Sequence, residues 1–198
     1  MGGQTLTDQA FDVIFRGART ANGWKDQPVP DGILKKIYDD MKWGPTSANS
    51  CPLRIVFLKT KEAKERLKPF LMAGNVNKVM TSPVTAILAY DTKFYEHLPF
   101  LFPHDKTARS WFEGNAPLIE TTAFRNSALQ GAYLIIAARA HGLDCGPMSG
   151  FDAKKLDAEF FPDGRFKSNF ICALGYADET KTFARSPRFS FEDACKVL

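Results

Sequence analysis

The amino-acid sequence predicts an α+β or three-layer fold, and three observations carry that prediction. Helical and extended apolar patterns succeed one another in the order α-α-β-α-β-x-α-α-β-α, where x is irregular. The stretch "SPVTAILAYD" (82–91) is nearly all apolar, the pattern of a strand buried on both faces. No repeat, low-complexity segment or linker interrupts the 198 residues, so one domain over 1–198 is expected.

The elements follow in order. "TDQAFDVIFRGA" (7–18) reads as a first amphipathic helix with Thr7 as its N-cap. "PDGILKKIYDDMKW" (30–43) reads as a second, because Ile33, Leu34, Ile37 and Met41 recur at helical spacing. "WGPTSANSCP" (43–52) reads as a polar loop that ends it. "LRIVFLKT" (53–60) is a strand by its β-branched and aromatic content, and "KEAKERLKPFL" (61–71) a short charged helix. After the buried strand comes "KFYEHLPFLFPHDKTARSWFEGN" (93–115), aromatic, broken by prolines and without a clean period. A long helix, apolar all round in its middle, is expected from Pro117 to His141, closed by Gly142. "GLDCGPMSGFD" (142–152) reads as a loop, "DAKKLDAEFF" (152–161) as a helix and "FKSNFICALGYAD" (166–178) as the third strand. A short helix is expected in the tail.

Composition narrows the function. With 44% hydrophobic and 24% charged residues, a net charge of +4 and no long basic run, the chain shows no signature of nucleic-acid or membrane-surface binding. The four cysteines form no CxxC pair, the N-terminus has no signal-peptide order, and no 18-residue apolar run exists. A soluble, cytoplasmic protein is expected. Seventeen phenylalanines suggest large buried contacts, including a subunit interface.

Several chemistries lack their residues. There is no GxGxxG after a strand, no GxxxxGK[ST] and no HExxH, and "GPMSG" sets its serine one place too late for a nucleophile elbow. His97, His104 and His141 lack metal-ligand spacing, so no metal is expected. Cys145, four residues after His141, reads as a small core residue rather than a nucleophile. No catalytic residue is assigned with certainty, and a cofactor is expected to carry any reaction.

Four stretches then resemble, in order, the FMN-dependent nitroreductase family. They are "ARTANGW" (18–24), "PTSANSCP" (45–52), "GNVNK" (74–78), and "GLDCGPMSGF" with "ALGYAD" and "RSPR" after it. "MKWGPTSAN", "LFPHD…ARSWF" and "TAFRNSALQGAYLI" bring the chain nearest to the malonic semialdehyde reductase branch of pyrimidine utilisation. Asn22 stands where the family has a second basic residue, Cys51 where it has Gln, and Leu53 where it has an aromatic.

The resemblance implies a mostly antiparallel sheet flanked by helices, an intertwined homodimer, and FMN at the interface with NADH or NADPH as transient donor. It implies ping-pong hydride transfer through flavin N5 to a small-molecule acceptor, here malonic semialdehyde giving 3-hydroxypropionate. A broad nitroaromatic or quinone reductase and a non-catalytic flavin-binding protein are the alternatives. The residues suit such a ligand. A phosphate fits guanidinium bidentately, which makes Arg19 the first candidate, Arg188 the second and Arg185 the third. Thr20 and Asn22 lie in the first motif. Pro45, Thr46, Ser47 and Asn49 offer turn and capping groups to the flavin. Asn75 suits the pyrimidine edge, and Lys78 a position beside N1/O2, where reduced flavin becomes anionic. Cys145 and Gly146 are placed along the ring. Residues 93–115 form a candidate lid, with Arg109 toward a substrate carboxylate, Lys106 and Arg125 as alternatives, and Phe102 and Trp111 among the pocket walls. Ser47 and Arg109 are the candidate catalytic side chains.

Overall fold

The computed structural model describes residues 3–198. Thr7 Oγ1 accepts the Ala10 N–H at 3.2 Å and starts α1 (Asp8–Phe11), which widens into a π turn at Asp12–Arg16. Strands β1 (Leu53–Leu58), β2 (Val84–Asp91), β3 (Asp144–Met148) and β4 (Phe166–Gly175) pair in the order β1-β2-β4-β3, every pair antiparallel. Leu53 faces Tyr90, and Cys145 faces Leu174 across the other edge pair. All of β2 is buried, as its unbroken apolar run requires of a central strand.

Helices cover both faces. On one, α2 (Asp31–Met41) and α6 (Ala116–Ala140) pack Leu34, Ile37, Leu134 and Ala138 against Leu88 and Leu174. On the other, α3 (Lys61–Leu67), α4 (Ala73–Thr81) and α7 (Ala153–Phe160) pack Leu67, Val79 and Leu156 against Ile87 and Ile171. Gly142, at φ +78°, ends α6 in a conformation that a Cβ would strain. The irregular stretch folds as a turn at Phe94–His97, α5 (Leu98–Leu101) and a turn at Ala108–Trp111. Phe94, Leu98, Ala108 and Phe112 pack there with Tyr90 and Ala123. α8 (Phe191–Ala194) closes the tail.

Two expectations are corrected, and one helix was not foreseen. "GLDCGPMSGFD" holds strand β3 rather than a loop alone. Its glycines and Pro147 read as turn residues, yet an outermost strand tolerates proline because one row of its N–H groups needs no partner. Helix α4 was not legible, since Gly74, Asn75 and Asn77 are weak helix formers. Tertiary bonds hold it instead. Trp24 Nε1 donates to Lys78 O at 2.9 Å, and the buried Lys64 ammonium donates to Ser82 O at 2.6 Å, beyond the negative end of the helix dipole. Finally, α6 is not apolar all round. Its buried stripe carries Thr122, Asn126 and Gln130, while Leu118, Phe124 and Leu129 are exposed.

Tyr90 gives a pH test of the packing beneath residues 93–115. Its hydroxyl donates to Glu120 Oε1 at 2.5 Å, and Lys167 Nζ reaches Glu120 Oε2 at 3.1 Å. Burial, and then Glu120, push the phenol far above its usual value of 10. The folded form therefore keeps a proton that the unfolded chain loses above pH 10. Its stabilisation is complete below pH 10 and declines above it, by about 1.4 kcal/mol at pH 11. Urea unfolding at pH 9 and 11 is expected to show this loss in the native chain and its absence in Tyr90→Phe. Equal losses in both would reject the assignment.

Candidate functional site

The residues singled out by motif gather at two places. The first lies at the outer edge of β3. Thr20 bridges Cys145 in parallel fashion, and the Ala21 N–H donates to Cys145 O at 2.9 Å, so residues 19–24 run along that edge. Helix α4 approaches the same edge. A Cβ on Gly146 would sit 2.8 Å from Ala21 O and 3.1 Å from Lys78 Cδ, so the missing side chain lets the Lys78 stem lie against β3. The group over Gly146 is thus Lys78 with residues 21–24. Cys145 turns its thiol into the core, where it joins Cys172, and only its backbone lies at the edge. Asn75 Nδ2 donates to Gly150 O at 2.9 Å, which leaves its oxygen available. Asn22 Nδ2 turns back to Thr20 O at 3.4 Å.

Cations border this edge. Burial pushes the Lys78 ammonium below its usual value, which a nearby anion would reverse. Arg19 donates to Phe183 O in an open cleft of about 540 Å³ that also holds Glu179 and Asp144, the latter accepting the Ala177 N–H at 2.8 Å. Arg185 donates to Ala18 O at 3.3 Å and also reaches Arg16 O, beside Arg19. Arg188, ranked above it from sequence, is exposed and among the described residues bonds only its own turn, at Ser186 O and Pro187 O. Among the described residues, none of Arg19, Lys78, Arg185 and Arg188 forms an ion pair with a carboxylate.

The second place is the loop before β1. Ala48, Asn49 and Cys51 all have positive φ, at 49°, 48° and 39°, although none is glycine. Such residues persist only where their surroundings hold them, and they concentrate at ligand sites. The holders here are visible. Asn126 Oδ1 accepts the Ser47 N–H at 2.8 Å, Gln130 Oε1 accepts the Leu53 N–H at 2.9 Å, and Tyr133 Oη donates to Pro45 O at 3.0 Å. Thr46 Oγ1 accepts the Cys51 N–H at 3.2 Å, and Asn49 Nδ2 donates to Leu101 O at 2.7 Å. Cys51 Sγ donates to Asn49 Oδ1 at 3.4 Å, so the thiol steadies that asparagine. Ser47 keeps an exposed hydroxyl, and Ser50 Oγ is buried without a partner among the described residues.

Sequence reasoning passed over Trp24, Asn126 and Gln130. The spacing of Thr122, Asn126 and Gln130, four residues apart in an apolar helix, was the available signal. In the candidate lid, residues 93–115, Phe102 and Trp111 meet edge to face at 6.2 Å, while Arg109 Nε pairs with Glu113 at 2.6 Å, half exposed. His141 bonds Asp40 at 2.7 Å and Cys145 is buried elsewhere, so no Cys–His pair forms.

The two places are not brought together within one chain. They flank opposite edges of the sheet, three strand spacings or ~14 Å apart.

Known proteins share this architecture. A Cupriavidus pinatubonensis protein, provisionally named NADH dehydrogenase/NAD(P)H nitroreductase, is 56% identical over 193 residues, covering 96% of this chain and 98% of that one. A nitroreductase-like structure from Bacillus subtilis superposes with a TM-score of 0.87 at 19% identity, covering 97% of this chain and 100% of that one. One from Exiguobacterium sibiricum, solved in complex with FMN, gives 0.85 at 21% identity, over 98% and 99%. The family model described as "Nitroreductase family" matches residues 16–176, which include all four strands and residues 93–115; the chain belongs to the nitroreductase family.

Proposed function

We propose that this chain is an FMN-dependent, NAD(P)H-driven reductase, a single domain whose site is completed by a second copy. The observation that carries this reading is the split of the motif residues between the β1 and β3 edges. In a two-fold dimer the strained loop of one copy meets the cationic edge of the other. The relatives' names, which include NADH and NAD(P)H, and the FMN in a structural neighbour support it. So does the exposed apolar surface. Phe124 on α6 is 51% exposed, and Phe183 and Phe189 in the extended tail are 75% and 83% exposed, apolar groups that a second copy could cover. Among the described residues no helix is long and apolar enough to cross a membrane.

Arg19 and Arg185 would hold the phosphate, and Asn75 and Lys78 the polar edge of the ring. Ser47, Thr46 and Asn49 of the other copy would close the ring's second side. FMN, once bound, supplies a hydride acceptor and donor that the side chains lack. The chain itself binds, orients and excludes water, and the ammonium of Lys78 opposes the negative charge that builds on the ring. For the acceptor we propose malonic semialdehyde, reduced to 3-hydroxypropionate, on the resemblance of the lid and loop motifs. Its carboxylate would meet Arg109 once that residue leaves Glu113, or Lys106 or Arg125, which have no acidic partner among the described residues. Broad nitroaromatic or quinone reduction is the second reading, favoured by the relatives' names.

The purified protein is expected to show flavin absorption that bleaches when NADH or NADPH is added without oxygen. A colourless protein that FMN cannot reconstitute would reject the reading. Light scattering is expected to give a dimer. Comparing kcat/KM for malonic semialdehyde, a nitroarene and a quinone decides between the two acceptors.

A further inference from the structure

We propose that Asp91 is a positioning residue that couples the strained loop 45–52 to the lid 93–115. The proposal rests on the flavin reading, since the loop is there a cofactor wall and the lid an acceptor wall. Asp91 ends β2, and its side chain is only 1% exposed. A buried carboxylate needs several strong donors, and this one has four. Arg54 Nη2 reaches Oδ2 at 3.0 Å. Arg165 makes a two-point contact, Nε to Oδ1 and Nη2 to Oδ2, each at 3.0 Å. The Lys93 N–H reaches Oδ1 at 2.8 Å.

Each arginine also touches one of the two segments. Arg54 Nη1 donates to Cys51 O at 3.0 Å, the carbonyl of a residue in the left-handed region. Arg165 Nη2 pairs with Glu96 Oε2 at 3.2 Å and lies 3.2 Å from His97 Nε2, both in the first turn of the lid. The path therefore runs from the loop through Arg54, Asp91 and Arg165 to the lid. The backbone reinforces it, since the Asp91 N–H donates to Pro52 O at 2.9 Å and the Thr92 N–H to Arg165 O at 3.0 Å. A second contact closes the circuit at the far side, where Asn49 bonds Leu101 O and Ala48 packs on the lid cluster. Neutralising Asp91 would leave two guanidinium groups facing one another and the lid's first N–H less well held. The loop and the lid would then order independently.

The test is limited trypsin digestion with and without FMN, followed by mass spectrometry. The reporter is cleavage after Lys106, an exposed lid residue without an ion pair among the described residues. In the native protein FMN is expected to slow this cleavage about tenfold, in the usual range of coupling between sites. In Asp91→Asn, FMN is expected to bind, as read by flavin fluorescence, but to protect Lys106 less than about twofold, the coupling having been lost. Arg165→Lys, which keeps the charge but loses the two-point grip, is expected to behave likewise and serves if Asp91→Asn does not fold. Retained protection in either folded variant overturns the coupling role. A native protein that binds FMN without protecting Lys106 overturns it as well. A native protein that binds no FMN rejects instead the reading beneath it.

Discussion

Replacing Arg19 with alanine is expected to weaken FMN binding by about 10- to 100-fold, the cost of about 1.5–3 kcal/mol for one charge-assisted contact. Arg19 stands at the β3 edge with no carboxylate partner among the described residues, and its guanidinium now donates only to Phe183 O. A neutral carbonyl is a weaker partner than a phosphate dianion, so a ligand would displace it at little loss. Arg185 is held beside it by the carbonyls of Arg16 and Ala18, so Arg185→Ala is expected to give a similar loss. Arg188→Ala, whose side chain bonds only its own turn, is expected to give a smaller one. Fluorescence titration of apoprotein with FMN measures all three. An unchanged Kd in Arg19→Ala would remove it from the site.

Gly146→Ala is expected to lower stability by about 1–3 kcal/mol, the usual cost of overpacking, and to lower the melting temperature by roughly 3–10 °C. The added Cβ would lie 2.8 Å from Ala21 O, a backbone atom of the segment that the Ala21 N–H bonds to Cys145 O, and 3.1 Å from the Lys78 stem. Relief requires residues 19–24 to move off β3 or Lys78 to leave it, and either disturbs the cationic edge. FMN affinity is therefore expected to fall together with the melting temperature. Gly32→Ala is the control. It lies in α2 with nothing within 4 Å of its Cβ, so alanine there is expected to be neutral or slightly stabilising. Equal melting temperatures for Gly146→Ala and the native chain would show that the edge is more yielding than its contacts indicate.

Local chemistry was legible in the sequence because it depends on near neighbours. The Thr7 cap, the α2 stripe, the buried run of β2 and the Gly142 stop all follow from spacing within about one to three turns. The motif residues Arg19, Asn49, Asn75, Lys78 and Gly146 could be singled out only because four short stretches, in order, resemble a known family. The helix α4 and the strand β3 could not. Their own residues oppose the conformation they adopt, and Trp24, Lys64 and β4 impose it from a distance.

The Asp91 cluster was equally hidden. Its arginines lie 37 and 74 positions away, and no periodicity links residues so far apart. The sequence by itself determined which groups are available: cations without a local acid, a loop of short polar side chains, and a family likeness that joins them. Only the tertiary structure decided that the loop and the cationic segment lie at opposite edges of one sheet, because strand order depends on long-range pairing and not on local pattern. The proposed dimer rests on that separation.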